Sequence, residues 1–133
     1  MNKSTKYSKV LFILHMPPPV HGASMVGKYI HDSKIINNAF ECHYLNLALA
    51  KDLDDIGKGG IRKLKEFYKQ LKQIRKQTKL IVPQLCYVTP NAKGGAFYKD
   101  FFVVMLLKMM RQNIVVHYHN KGIATRQNRY FII

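Results

Sequence analysis

The sequence predicts an α/β domain: a doubly wound parallel sheet of about four strands with helices on both faces. Three observations carry that expectation. Strand-like runs alternate with helix-period segments four times over. The first run, Val10 to Leu14, is apolar without alternation, as suits a strand buried on both faces. No hairpin signal joins consecutive strands, so each return runs through a helix. A chain of 133 residues, 47% of them apolar, makes one domain with its own core.

Each element has its own signal. After Val10–Leu14, Pro17, Pro18 and Pro19 exclude a ladder and make a loop from Met16 to His21. A helix is expected over 22–37, with Met25, Val26, Tyr29, Ile30, Ser33 and Ile36 as its inner stripe. Phe40–Leu47 reads as the second strand, with Phe40, Cys42, Tyr44 and Asn46 on one face. Residues 48–60 hold Asp52, Asp54 and Asp55 among three glycines and read as a loop. Ile61–Lys79 is an amphipathic helix whose apolar face carries Ile61, Leu64, Phe67, Tyr68, Leu71, Ile74 and Thr78. Leu85–Thr89 is the third strand, begun at Pro83. Gly95–Gln112 is a helix apolar enough to imply burial around much of its circumference. Ile114–His119 is the fourth strand, and Ala124–Ile133 begins another helix. The expected strand order is 3-2-1-4, which opens a ligand crevice at the carboxyl ends of strands 1 and 4.

Charge and cysteine content narrow the partners. Lys and Arg number 22 against 7 Asp and Glu, a net charge of +15. That excess favours an anionic partner: a phosphate-bearing ligand, a lipid surface or nucleic acid. Eight basic residues and one acid, Glu66, sit on the Ile61–Lys79 helix. Lys65, Lys69, Lys72 and Lys76 there are candidates for docking on an anionic membrane surface. No aromatic stacking platform or nucleic-acid motif accompanies the charge, so nucleic acid is not the expected partner. Cys42 and Cys86 lie in apolar stretches and read as reduced core residues of a cytoplasmic protein. The longest apolar run, Phe101 to Leu107, is far short of the roughly 20 residues a helical span needs. The N-terminal lysines and Val10–Leu14 mimic a signal peptide, but His15 and three prolines cut the run short.

Two segments carry candidate chemistry. The first, Pro17 to Ser24, joins a buried strand to a helix N-terminus, whose free N–H groups favour phosphate or carboxylate. Pro19, His21, Gly22, Ala23 and Ser24 are its candidate substrate-binding residues. Gly22, Gly27 and Lys28 also fit a P-loop as far as the lysine, but Tyr29 stands where Ser or Thr must ligate magnesium. The second, His117-Tyr118-His119-Asn120, closes the fourth strand, with both histidines on one face by alternation. No carboxylate or thiol is expected nearby, so no metal site or cofactor is assigned. Thr89, His119, Asn120 and Lys121 complete the candidate binding set, and no catalytic residue is named. His31 and His43 read as incidental.

A resemblance extends these readings. The stretch Lys9-Val10-Leu11-Phe12-Ile13-Leu14-His15-Met16-Pro17-Pro18-Pro19-Val20-His21-Gly22-Ala23-Ser24 resembles the opening of bacterial family 4 glycosyltransferases. The likeness continues at Val88-Thr89-Pro90 with Gly94-Gly95, then at His117-Tyr118-His119-Asn120-Lys121-Gly122. It implies the N-terminal, acceptor-side Rossmann-like domain of a GT-B enzyme. Such an enzyme moves a sugar from a nucleotide-sugar to a cell-surface glycan or lipid-linked precursor, with retention of configuration. It also implies that Gly22 and Ala23 lie beside the donor diphosphate and that His119 contacts the transferred sugar. Ala23 stands where the family often has a second glycine. The family's paired glutamates of the donor-binding domain have no counterpart, since Glu41 and Glu66 are the only glutamates. The chain ends on Phe131-Ile132-Ile133 inside an unfinished helix, so an incomplete, inactive fragment that self-associates through uncovered surface is expected. The resemblance further implies work at the inner face of the cytoplasmic membrane. The alternative is a stand-alone basic module that binds anionic membrane or nucleic acid.

Overall fold

The computed structural model describes residues 8–18, 20–47, 60–91 and 94–119. In chain order they form β1 (Lys9–Leu14), α1 (Gly22–Asp32), α2 (Lys34–Ala39), β2 (Glu41–Asn46), α3 (Gly60–Ile81), β3 (Leu85–Val88), α4 (Gly94–Met109) and β4 (Ile114–Val116). All strand pairs are parallel, and helices cover both faces of the sheet. The α/β class and Rossmann-like winding thus stand as the sequence implies. Of the expected loop over 48–60, Gly60 instead opens α3, and the rest lies outside the described residues, as does the expected helix over 124–133.

The strand order is β2-β1-β3-β4, not 3-2-1-4. Composition explains the correction. β3 reads Leu-Cys-Tyr-Val, and its Cys86 and Val88 are fully buried, so it belongs inside the sheet. β2 carries Glu41, His43 and Asn46, which an edge strand can leave in water. The expected order would have placed that polar strand between two neighbours. Register fixes β1 in the middle: Val10 pairs across to Cys42 on one side and Leu85 on the other.

Alternation along β1 divides the core. Leu11 and Ile13 join Cys86, Val88, Ile74, Val103 and Leu107 under α3 and α4. Val10, Phe12 and Leu14 face α1 and α2, where Ile30, Ile36, Cys42, Tyr44 and Tyr87 pack on them. Phe12 stacks on Tyr44 with ring centroids 5.1 Å apart. Burial pushes the Cys86 thiol up to about 11, so it stays an unreactive core group. Both cysteines are free, with Cys42 only half-buried.

Several helix readings change. The helix over 22–37 is two helices, broken at Ser33, whose hydroxyl accepts from the Ile36 amide at 3.3 Å and caps α2. On α1 the buried positions are Ser24 and Gly27, while Tyr29 faces solvent. On α3 the buried line is Gln70, Ile74 and Thr78, flanked by Phe67, Leu71 and Ile81. Ile61, Leu64 and Tyr68, expected inside, are exposed. α4 buries a single narrow stripe, Asp100, Val103 and Leu107, rather than most of its circumference. Among the described residues no helix is long and apolar enough to cross a membrane.

Candidate binding crevice

Because β1 connects to β2 on one side and β3 leads to β4 on the other, the chain reverses direction between β1 and β3. Ligand crevices in open parallel sheets form at the carboxyl ends of such a pair. The expected crevice between strands 1 and 4 therefore moves by one strand. Its walls are the β1–α1 connection and the Thr89–Asn91 turn after β3, tied together where the Thr89 amide donates to the Ile13 carbonyl at 3.1 Å.

The first wall is a reciprocally capped helix start. His21 is the N-cap of α1, in extended backbone. Its Nδ1 accepts from the Ser24 amide at 3.3 Å, and Ser24 Oγ accepts from the His21 amide at 2.9 Å. Ser24 is fully buried, so its hydroxyl holds the turn. Burial, and then the neighbouring His15, hold His21 below the usual histidine range. With Nδ1 accepting, the neutral ring carries its proton on Nε2, the donor this exposed side chain offers to a ligand. Gly22 is exposed, and a Cβ there would meet nothing within 4 Å, so the mouth is open at that position. Ala23 is half-buried beside it.

Gly27 seats this wall. A Cβ on it would lie 2.1 Å from the His15 carbonyl oxygen. Only a glycine lets α1 press onto the end of β1 there. The P-loop spacing of Gly27 is visible in the sequence, but its seat against the His15 carbonyl is not, because that contact is between elements.

Beneath the mouth lies a polar cluster the sequence reading did not find. Asp100, buried on α4, accepts at Oδ2 from His15 Nε2 at 3.1 Å, from the Asn91 amide at 2.7 Å and from Asn91 Nδ2 at 3.1 Å. His15 is buried too, and its Nε2 lies 3.0 Å from Asn91 Nδ2. These contacts around one carboxylate oxygen lock the β3–α4 turn to the end of β1. A signal existed: Asp100 is the lone acid in an apolar helix, a residue almost never buried unless paired.

The third contribution comes from the end of β4. The rings of His117 and His119 lie 4.2 Å apart, on one side as alternation requires. His117 Nδ1 meets the Tyr87 hydroxyl. Burial and the neighbouring His117 hold His119 below the usual histidine range. Among the described residues, two buried side-chain polar atoms have no hydrogen-bond partner: Thr89 Oγ1 and His119 Nε2. Both belong to residues predicted to bind substrate, and buried polar groups normally find partners.

The described structure thus gathers His21, Gly22, Ala23, Ser24, Thr89 and His119 at the carboxyl edge of the sheet. Pro19, Asn120 and Lys121 lie outside the described residues. Lys65, Lys69, Lys72 and Lys76 are exposed on α3. Among the described residues no three His, Cys, Asp or Glu side chains converge as a metal site. No known family, curated protein or solved structure matches the chain.

Proposed function

We propose that the chain is the N-terminal, acceptor-side part of a retaining family 4 glycosyltransferase. Its parent enzyme moves a sugar from a nucleotide-sugar to a cell-surface glycan or lipid-linked precursor. One observation supports this reading: the three segments that resemble the family end at one edge of a single parallel sheet, on either side of its switch point. They bring neutral histidines, a helix N-terminus and the unpartnered Thr89 hydroxyl to that edge. Such a set favours a ligand that is anionic at one end and hydroxyl-rich at the other. Asp100, the acid buried beneath, has its Oδ2 occupied by internal donors.

The roles follow the chemistry. The first turn of α1, open at Gly22, receives phosphate oxygens, with His21 Nε2 donating alongside. Thr89 and His119 take sugar or acceptor hydroxyls. Turnover requires the donor-binding half with its paired glutamates, so the 133-residue chain alone is inactive. The test is chemical-shift mapping of the isotope-labelled chain with a panel of nucleotide-diphosphate sugars. Perturbation centred on His21, Gly22, Thr89 and His119 supports the reading. Shifts confined to α3, an unchanged spectrum at millimolar ligand, or turnover by the chain alone would count against it.

A further inference from the structure

The layer of α3 and α4 presents an outward surface that the crevice does not use. On α4, Tyr98, Phe101, Phe102, Met105 and Met109 recur at helical spacing, opposite the buried stripe of Asp100, Val103 and Leu107. They are 63%, 49%, 56%, 38% and 77% exposed. A helix that packs one face on a sheet normally turns polar residues outward. Here the outward face of α4 is apolar for about 16 Å of its length.

α3 extends this face and gives it charge. Phe67 packs edge-on against Phe102, with ring centroids 6.3 Å apart, so the two helices lie side by side. Ile61, Leu64 and Tyr68 add exposed apolar area on α3. Lys72 sits over the Tyr68 ring, 5.2 Å from its centroid. Further along, Arg75 and Lys79 of α3 face Leu106, Met109 and Met110 across a groove of about 480 Å³. Cations therefore border the apolar stripe directly. Lys65, Lys69 and Lys76 continue the positive charge around the exposed side of α3.

We propose that this face docks on an anionic lipid bilayer, with α4 lying in the interface as the inserted element and the α3 cations on the headgroups. The occupant follows from charge and side-chain type. Aromatic and methionine side chains beside Lys and Arg match the headgroup–acyl boundary, where long cationic side chains reach the phosphates. A second copy seated here would bring two such cationic rims, each on a chain of net charge +15, against one another. The inference stands independently of the glycosyltransferase reading. It also differs from docking through the α3 lysines alone, which leaves α4 in water.

The absence of tryptophan from the chain makes the test site-specific. Phe101→Trp puts a single reporter on the α4 stripe, and Ile35→Trp puts one on exposed α2 across the sheet. Each variant, checked for unchanged circular dichroism, is mixed with vesicles of phosphatidylcholine and phosphatidylglycerol. Tryptophan at 101 is expected to blue-shift and to be quenched by brominated lipid, while tryptophan at 35 does neither. Phe101→Ser with Met105→Ser should weaken vesicle partitioning at least about tenfold. Reversing Lys72, Arg75 and Lys79 to Glu should weaken it about a hundredfold or more at low salt. Binding without a blue shift at 101 would overturn insertion of α4, as would failure to bind at low salt. Equal binding to pure phosphatidylcholine would overturn the anionic preference. A blue shift that grows with protein concentration in the absence of vesicles would assign the face to a second copy instead.

Discussion

Replacing Gly27 with alanine tests how the crevice is held together. The added methyl would sit 2.1 Å from the His15 carbonyl oxygen, 3.1 Å from its carbonyl carbon and 3.4 Å from Leu14 Cβ. Ordinary contact begins at about 3.4 Å, so α1 must move away from β1 by more than an ångström. The obstacle is backbone at the end of the central strand, which no rotamer change can relieve. Overpacking of this kind costs about 1–3 kcal/mol, and occasionally more. Alanine returns about 1 kcal/mol through helix propensity. A clash against fixed backbone belongs at the upper end, so the net loss should be about 2 kcal/mol. Urea unfolding followed by circular dichroism reads it as a fall in midpoint of about 1 M at unchanged slope. Gly22→Ala is the control: no atom lies within 4 Å of its Cβ, so stability should hold or rise slightly. An alanine at 27 as stable as wild type would refute the tight seating of α1 on β1. Because His21 and Ser24 ride on the same helix, the variant should also lose the crevice's ligand response.

Three further outcomes follow from named contacts. Asp100→Ala leaves the His15 Nε2 and both Asn91 donors without their acceptor in a buried site. Urea unfolding should show a loss of about 3 kcal/mol, with Asp100→Asn costing clearly less. Val82, a β-branched residue just after α3, holds φ at 51°, so Val82→Gly should raise the thermal midpoint, by about 1 kcal/mol in stability. His21 and His119 have folded pKa values below the ordinary 6.5, so the unfolded chain binds more protons in that range. Their contribution is present above pH 6.5 and is lost as pH falls through the folded values. The urea midpoint should therefore drop between pH 7.5 and 5.5, and His21→Ala with His119→Ala should flatten that dependence.

The parallel α/β class was legible because β1 is an uninterrupted apolar run and helical periods separate the strands. Strand order was not, because this chain departs from the most frequent winding. Yet the polar residues of β2 and the apolar run of β3 already assigned edge and interior. Helix faces were legible where a stripe meets the sheet, as at Ile74 and Thr78. They failed at Ile61, Leu64 and Tyr68, where apolar residues face outward and periodicity cannot tell core from surface. The crevice shows the same division. Its mouth lies in motifs that local sequence displays. The bond between His15 and Asp100 joins positions 85 residues apart, and no local pattern announces it.

That long-range bond also bears on what the proposed crevice would accept. A buried carboxylate at the end of β1 would ordinarily repel a phosphate or another acid. Here its Oδ2 is already engaged by contacts from His15 and Asn91, so that oxygen is turned inward to the cluster. Among the described residues, the buried side-chain atoms that remain unmatched are Thr89 Oγ1 and His119 Nε2. A hydroxyl can donate or accept, and a neutral imidazole nitrogen does one or the other by tautomer. Neither demands a charged partner. Under the proposed function, specificity for an anion would rest on the α1 N-terminus, and the deeper wall would read hydroxyls. If so, Thr89→Val should change which sugar or acceptor is preferred while leaving phosphate affinity within a few-fold. Competition binding with inorganic pyrophosphate against nucleotide-sugars would show it. A large and equal loss for both ligands would show that Thr89 belongs to the phosphate subsite, and the division of labour would fail.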